Sequence, residues 1–340
     1  MKLHAQSTLA GYARAAVDLK SRMHAYCRSS GGSQYIRTIV QSRFDGPHGE
    51  HDIEERVSDF VHLMATTCWR QGEAFVLAPA MTAVVAAAAN ALDLTGEMLS
   101  DEVAPTDCGV LFLPEPIYYR DRRGRLRPVS AITWGRFASG SSAAWLFGSW
   151  SDPEDPHSPL ASNLSRKERR ANTYRRYVGP YMLSDFDHVP ITERVPPHES
   201  AVGDTDDMDW QPAPDGLFVI DAATCRTSVC TAILYAFWVI QAQPIATVAA
   251  TPIDQPAARR ANRAGIVHET RIVMLRRVSP IGDRDTDAKW HYRVRFIVRG
   301  HWRRLVNRDG VPYRIWIHAH IKGPDGAPLL HGEKVAVLGR

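Results

Sequence analysis

WHYRVRFIVRGHWRRLVNRDGVPYRIWIHAHIK, residues 290–322, alternates apolar and basic side chains on both sides of a short polar turn. A period of two is the mark of a β-strand, whose successive side chains point to opposite faces of a sheet. In the first run the even positions Tyr292, Val294, Phe296 and Val298 are apolar. The odd positions are His291, Arg293, Arg295, Ile297, Arg299 and His301. In the second run the odd positions Tyr313, Ile315, Ile317, Ala319 and Ile321 are apolar, and the even ones are Arg314, Trp316, His318, His320 and Lys322. Asn307-Arg308-Asp309-Gly310 lies between them, and Asp-Gly favours a two-residue type I′ hairpin turn. With that turn, cross-strand partners have numbers summing to 619, so Arg303 faces Trp316, His301 faces His318 and Arg299 faces His320. The spacing thus predicts one sheet surface carrying Arg293, Arg295, Arg299, His301, Arg303, Arg314, Trp316, His318, His320 and Lys322.

Further runs of strand character, Thr270–Val278 and Lys334–Leu338, have no helical pattern between them and this hairpin, which predicts a largely antiparallel C-terminal sheet. Upstream, Leu217–Ile220 reads as a short strand and Thr224–Gln243 as a buried helix. The first hundred residues carry helical stripes through Leu9, Tyr12, Ala16 and Leu19 and through Ile53, Val57, Phe60, Val61 and Met64. Ala74–Ala89 reads as a buried, Ala-rich helix, too short to span a membrane. Val110–Tyr119 and Leu126–Trp134 flank a Gly-bearing turn and predict a hairpin, with Pro114 and Pro116 placing the first strand at a sheet edge. Ala143–Trp150 adds a short strand. Ser165-Arg-Lys-Glu168 fits a capping box for a basic helix. From Ser184 to Asp209, eight Asp/Glu stand against one Arg among three prolines. The expected class is α+β: residues 1–183 a helical region with a hairpin segment at about 107–135 and the basic helix at about 165–178, then an acidic linker over 184–215, then a helix and basic antiparallel sheet over 216–340.

The 340 residues are 44% hydrophobic and 23% charged, an ordinary globular balance that excludes a disordered or collagen-like chain. Net charge is only +4, but it is unevenly spread. Residues 257–340 hold 18 Lys/Arg and 7 Asp/Glu, net +11; the remainder holds 23 and 30, net −7. Arginine outnumbers lysine 35 to 6, the signature of a GC-rich genome, so each arginine carries less functional information. Five scattered cysteines, an odd number, point to a reducing compartment rather than a disulfide framework. Met1–Gln6 leads into no apolar run, so a cytoplasmic protein without a secretory leader is expected.

Guanidinium groups bind phosphate oxygens bidentately, and an exposed indole or imidazole offers a face on which a base can stack. The basic sheet surface therefore predicts single-stranded or non-sequence-specific nucleic-acid binding. Phosphate contacts would come from Arg293, Arg295, Arg299, Arg303, Arg314 and Lys322, and stacking from Trp316 and His318. A plain solvated outer face, with Trp316 covered by the acidic N-terminal body, explains the same pattern, and so does a protein–protein adaptor whose acidic and basic parts mate between copies or with a host protein. A third reading is a metal-dependent enzyme using His301, His318 and His320, although the surrounding cations would repel a divalent ion. His48 and His51 precede early helix acids that the dipole explains. Cys225 and Cys230 lack a second pair for zinc, and Asp204–Asp209 lacks the glycine and terminal glutamate of a calcium loop. No dinucleotide, Walker, serine-elbow or zincin motif is present. No catalytic residue or cofactor follows from the sequence.

Val298-Arg-Gly-His-Trp-Arg-Arg304, Ile315-Trp-Ile317 and Ile321-Lys-Gly-Pro324 together resemble the ending of uncharacterised proteins of actinobacteria, their phages and mobile elements. The resemblance spans about the last eighty residues and implies a bacterial or phage source, with no activity attached. The same string can serve as a structural corner, Gly300 forming a bulge and Trp302 packing over the sheet edge.

Overall fold

Ala78-Pro79 splits the Ala-rich segment into two elements. The residue before a proline is pushed out of the helical region, and Ala78 is extended at ψ 149° with Pro79 opening the helix behind it. Glu73–Leu77 is accordingly a strand, β1, and Pro79–Asn90 a helix. This corrects the expectation of one helix over residues 74–89. The computed structural model describes residues 8–44, 57–99, 101–120, 126–139, 142–158, 178–191, 193–195, 218–221, 227–276, 296–298 and 300–322.

β1 runs parallel to β2 (Cys108–Arg120) on one side and to β8 (Thr270–Leu275) on the other. The meander continues antiparallel from β2 to β3 (Leu126–Ser139), β4 (Ser142–Ser151) and β5 (Met182–Pro190), while β7 (Ala246–Ala250) closes the far edge on β8. β6 (Phe218–Asp221) adds to β2. The eight strands form one mixed sheet with order β5-β4-β3-β2-β1-β8-β7, and β6 lies off this path. The fold is therefore α/β, not an α+β arrangement of a helical first half and a separate antiparallel sheet. β8, from the basic C-terminal part, pairs directly with β1 from the first hundred residues, and β5 runs through the start of the acidic segment. Local patterns cannot show such long-range pairing.

The two prolines of β2 lie in the sheet interior rather than at an edge. β1 pairs with β2 over Gly109–Phe112 and β6 pairs with the same side over Ile117–Arg120. Pro114 and Pro116 fall in the gap between these partners, where the pairing with β3 also shifts register. A missing N–H costs nothing where no partner strand waits for it.

Helices cover both faces. On one face α1 (Leu9–Arg28), α2 (Ser30–Phe44) and a π-helix (His62–Cys68) with the residues flanking it bury Leu19, Met23, Phe60, Met64 and Trp69 against Val76, Phe112 and Trp150. On the other face α3 (Pro79–Asn90) and α4 (Val229–Gln241) pack on Phe75, Trp134, Trp145 and Phe147. The alanines of α3 let α4 approach closely. Almost every residue of α4 is apolar because it is covered twice, by the sheet beneath and by a hairpin above. Its N-terminus is capped from outside: Ser228 Oγ donates to the Asp187 carboxylate, which also accepts from the Thr231 N–H (3.2 Å) and hydroxyl (2.9 Å). α5 (Gln255–Arg263) packs through Ala261 onto Val17 of α1. Among the described residues no helix is long and apolar enough to cross a membrane.

Gly109 is where β2 admits the Trp134 ring. A Cβ there would lie 2.1 Å from Trp134 Cζ2, and that indole is fully buried. Gly109→Ala should destabilise the fold by about 1–3 kcal/mol, measured as a lower urea midpoint at unchanged slope; a midpoint within error of wild type would contradict this packing.

Candidate functional site in the C-terminal hairpin

The run that reads as one strand from Trp290 to Trp302 is divided at Gly300. β9 (Phe296–Val298) pairs with β12 (His320–Lys322), and β10 (His301–Val306) pairs with β11 (Pro312–Ile317), as two small two-stranded sheets. Gly300 is the corner between them, and a Cβ there would meet Trp316 Cζ2 at 2.5 Å.

The turn has three residues, not two. Gly310 N–H donates to Asn307 O (3.2 Å), Asn307 N–H donates to Val311 O (2.9 Å), and Gly310 sits at φ +80°. This is a type I turn followed by a left-handed residue that forms a G1 bulge. The Asn307 side chain supports it, its oxygen accepting from Asp309 N–H (2.9 Å) and Val311 N–H (2.8 Å). Cross-strand partners therefore sum to 618: His301 faces Ile317, Trp302 faces Trp316, Arg303 faces Ile315 and Arg304 faces Arg314. A shift of one residue moves a whole side-chain set to the other face. The expected sum of 619, with Arg303 opposite Trp316 and His301 opposite His318, is corrected accordingly.

The inward face carries Trp302, Trp316, Arg304 and Arg314. Trp316 is 5% exposed within the core beside α4, and its ring meets Trp302 edge-on at 5.3 Å. Trp302 Nε1 donates to Ala88 O of α3 at 3.0 Å. The Gln243 carboxamide, just past α4, exchanges two hydrogen bonds with the Trp316 backbone at 3.0 and 3.1 Å, closing that edge of β11. Arg314 donates to Asp93 O at 2.9 Å and pairs with Glu97, which also takes Arg304 at 2.6 Å. Burial pulls the Arg314 guanidinium below its ordinary value, opposed by the charge of Asp93.

Trp316 and Arg314 thus hold the hairpin on the body, and neither is open to a base or a phosphate. The outward face of the paired strands keeps His301, Arg303 and Leu305 on β10 and Tyr313, Ile315 and Ile317 on β11. The last three had the alternation of a core face; they look away from the core because the register moved. Arg293, Arg295 and Arg299 lie outside the described residues, and for Lys322 the strand position alone is described. His318 is pulled down from the usual imidazole value first by desolvation and then by His320, whose Nδ1 lies 3.0 Å from His318 O. Among the described residues, no three His, Cys, Asp or Glu side chains are grouped to hold a metal, so His301, His318 and His320 do not assemble the expected set. The basic helix at about 165–178, the Asp204–Asp209 run, His48, His51, Cys225 and Lys334–Leu338 also fall outside the described residues.

Sequence reasoning missed Asp93, Glu97, Gln243 and the Ala88 carbonyl, which receive the hairpin. Nothing local marks them. The turn was legible: glycine three residues after asparagine, with the left-handed position at Gly310, is the signature of a three-residue loop.

Exposed apolar side chains also occur on and beside this hairpin, Val306 with the parity of the inward face and Tyr313 with that of the outward face. Val306 is 65% exposed, Val311 56% and Tyr313 46%, and Met98, next to the hairpin's partner Glu97, is 58% exposed. These are four of the six large hydrophobic residues exposed among those described. Arg303 and Arg308 are exposed on the same hairpin. No family model matches the chain, and no curated protein matches it.

Proposed function

We propose that the chain is a protein–protein adaptor that docks through the outer end of the C-terminal hairpin, and that the occupant is a second copy of itself. The observation that carries this reading is the exposure of Val306, Val311 and Tyr313 at the turn end of the hairpin, with Arg303 and Arg308 exposed on the same hairpin. Exposed apolar groups with a cationic rim suit a protein partner with carboxylates around an apolar centre. The chain supplies that complement itself, with net +11 over residues 257–340 and −7 elsewhere. The scattered cysteines, odd in number, support a cytoplasmic setting, and the resemblance of the Arg-Gly-His-Trp-Arg ending supports a place in a bacterial or phage mobile element.

Size-exclusion chromatography with light scattering tests it. At low salt the mass should rise with concentration from the 37.9 kDa of one chain towards twice that value, and fall back as salt screens the rim. The double variant Val306→Asp and Tyr313→Asp should stay at the mass of one chain. Wild type that remains a single chain at every concentration and salt would refute the reading. Single-stranded oligonucleotide binding that weakens steeply with salt, with the mass of one chain throughout, would favour the polyanion reading through Arg303 and Arg308 instead.

A further inference from the structure

On the other side of the sheet from the hairpin, α5 lies against α1 and the two helices form a charged surface. Ala257 and Ala261 of α5 are buried, Ala261 on Val17 of α1. Two ion pairs clasp the helices, Arg14 with Asp254 at 2.9 Å and Arg260 with Asp18 at 3.5 Å. Asp18 is the one acid within α1, and α5 has none. Asp254 caps α5, its other oxygen accepting from the Ala257 N–H at 2.9 Å. Both carboxylates are therefore occupied. Among the described residues, five exposed arginines of this layer have no carboxylate partner: Arg22 and Arg28 on α1, Arg70 just past the π-helix, and Arg259 and Arg263 on α5. Close by in the chain, Glu73 is held by Arg271 at 2.9 Å, and Glu269 is the exposed acid that follows α5.

The helix period sets where these arginines stand. Arg259 and Arg263 are one turn apart on the side of α5 away from Ala257 and Ala261, and Arg263 Nε donates to Arg259 O at 3.4 Å. Arg70 meets the C-terminal end of α5: its Nε donates to Gly265 O at 3.2 Å, and its carbonyl accepts from the Val267 N–H at 2.8 Å. Arg14, Arg22 and Arg28 fall within about 120° of one another around α1 and spread over about 21 Å of its length.

We propose that this helical surface binds the sugar–phosphate backbone of duplex nucleic acid, independently of base sequence. Guanidinium groups without carboxylates take phosphate oxygens bidentately. A length of about 21 Å covers about six base-pair steps of a duplex at about 3.4 Å each. Leu9 is the one large hydrophobic residue exposed on α1 or α5, and no aromatic residue is exposed there. A single strand is held by rings on which its bases stack, and a lipid surface by apolar side chains that enter it. This surface offers neither, so the duplex backbone is the polyanion that suits it. The inference goes beyond the hairpin reading and uses none of the hairpin's residues.

Fluorescence anisotropy of the full-length chain with a short, labelled, random-sequence duplex tests it. With five phosphates engaged, affinity should fall about 500-fold between about 50 and 200 mM salt. The double variant Arg259→Gln and Arg263→Gln, two contacts poorer, should fall only about 40-fold over the same range. Both side chains are exposed and away from the α1 contact, so this variant should keep the wild-type urea midpoint. The single strand of the same length should bind more weakly than the duplex. Light scattering at the same concentrations reports self-association separately, so either reading can fail without the other. No duplex binding at low salt, an affinity and salt slope unchanged in the double variant, or a single strand bound as tightly as the duplex would overturn the proposal. So would duplex affinity lost in Arg303→Gln with Arg308→Gln but kept in the α5 variant, or adsorption to phosphatidylserine vesicles with none to duplex.

Discussion

Trp316→Ala is expected to release the C-terminal hairpin from the body while the eight-stranded sheet stays folded. The indole is 5% exposed and forms one wall of the contact with Trp302, while Gly300 leaves room for its ring. Truncating a buried tryptophan to alanine costs about 3–5 kcal/mol. The remaining ties of the hairpin are the Trp302 bond to Ala88 O, the Arg314 bond to Asp93 O, the Glu97 ion pairs and the Gln243 clasp. Arg304 is largely exposed, and an exposed ion pair contributes about 0–1 kcal/mol. What is left should not hold a two-stranded ribbon, which is at best marginally stable on its own. Hydrogen exchange should show the amides of residues 301–317 losing protection while those of β1, β2 and β3 keep theirs, because local and global opening are distinct events. Retained protection of the hairpin together with a stability loss below about 1 kcal/mol would show that the tryptophan pair is not what holds it.

The second large effect concerns Lys20 and alkaline pH. Desolvation is the leading cause that lowers its amine to about 8 from 10.5, partly offset by Cys108, Glu269, Cys68 and Glu73. Between these two values the unfolded chain holds the proton and the folded chain has released it. Raising the pH through that window therefore favours the folded chain, by up to about 3 kcal/mol once pH exceeds 10.5. Below pH 8 the full cost of burying the ammonium is present. The buried thiols Cys27, Cys68 and Cys230 and the Tyr181 phenol act in the opposite sense, because burial raises their pKa. Each then loses stability for the protein as pH rises through its unfolded value. The Lys20 contribution, with its interaction with Cys68, is isolated by the difference between wild type and Lys20→Met, in which Cys27, Cys230 and Tyr181 cancel. That difference should move in favour of wild type by about 3 kcal/mol between pH 8 and 10.5, followed by urea denaturation at each pH. A difference that does not change across the window would mean that the amine is not desolvated.

Local chemistry made several elements legible. The period-two runs in the C-terminal part are strands, the apolar segment ending before Pro244 is a helix, and Gly300 is a corner with Trp302 packed beneath it. Ala78-Pro79 carried the break between β1 and α3, because a residue before proline resists the helical region whatever its own propensity.

The amino-acid order by itself determined the two-residue period of β10 and β11, the breaks at Ala78 and Gly300, and a basic C-terminal part joined to an acidic remainder. Tertiary structure decided the rest. β1 is central only because β2 and β8 come to it from far along the chain. The two faces of β11 exchanged roles, while those of β10 kept theirs, because Gly310 adopts φ +80° and adds one residue to the loop. A period of two has no preferred side until a turn and a partner surface supply one. Here the cleft between α3 and α4 took the tryptophans and left Tyr313, Ile315 and Ile317 facing outward.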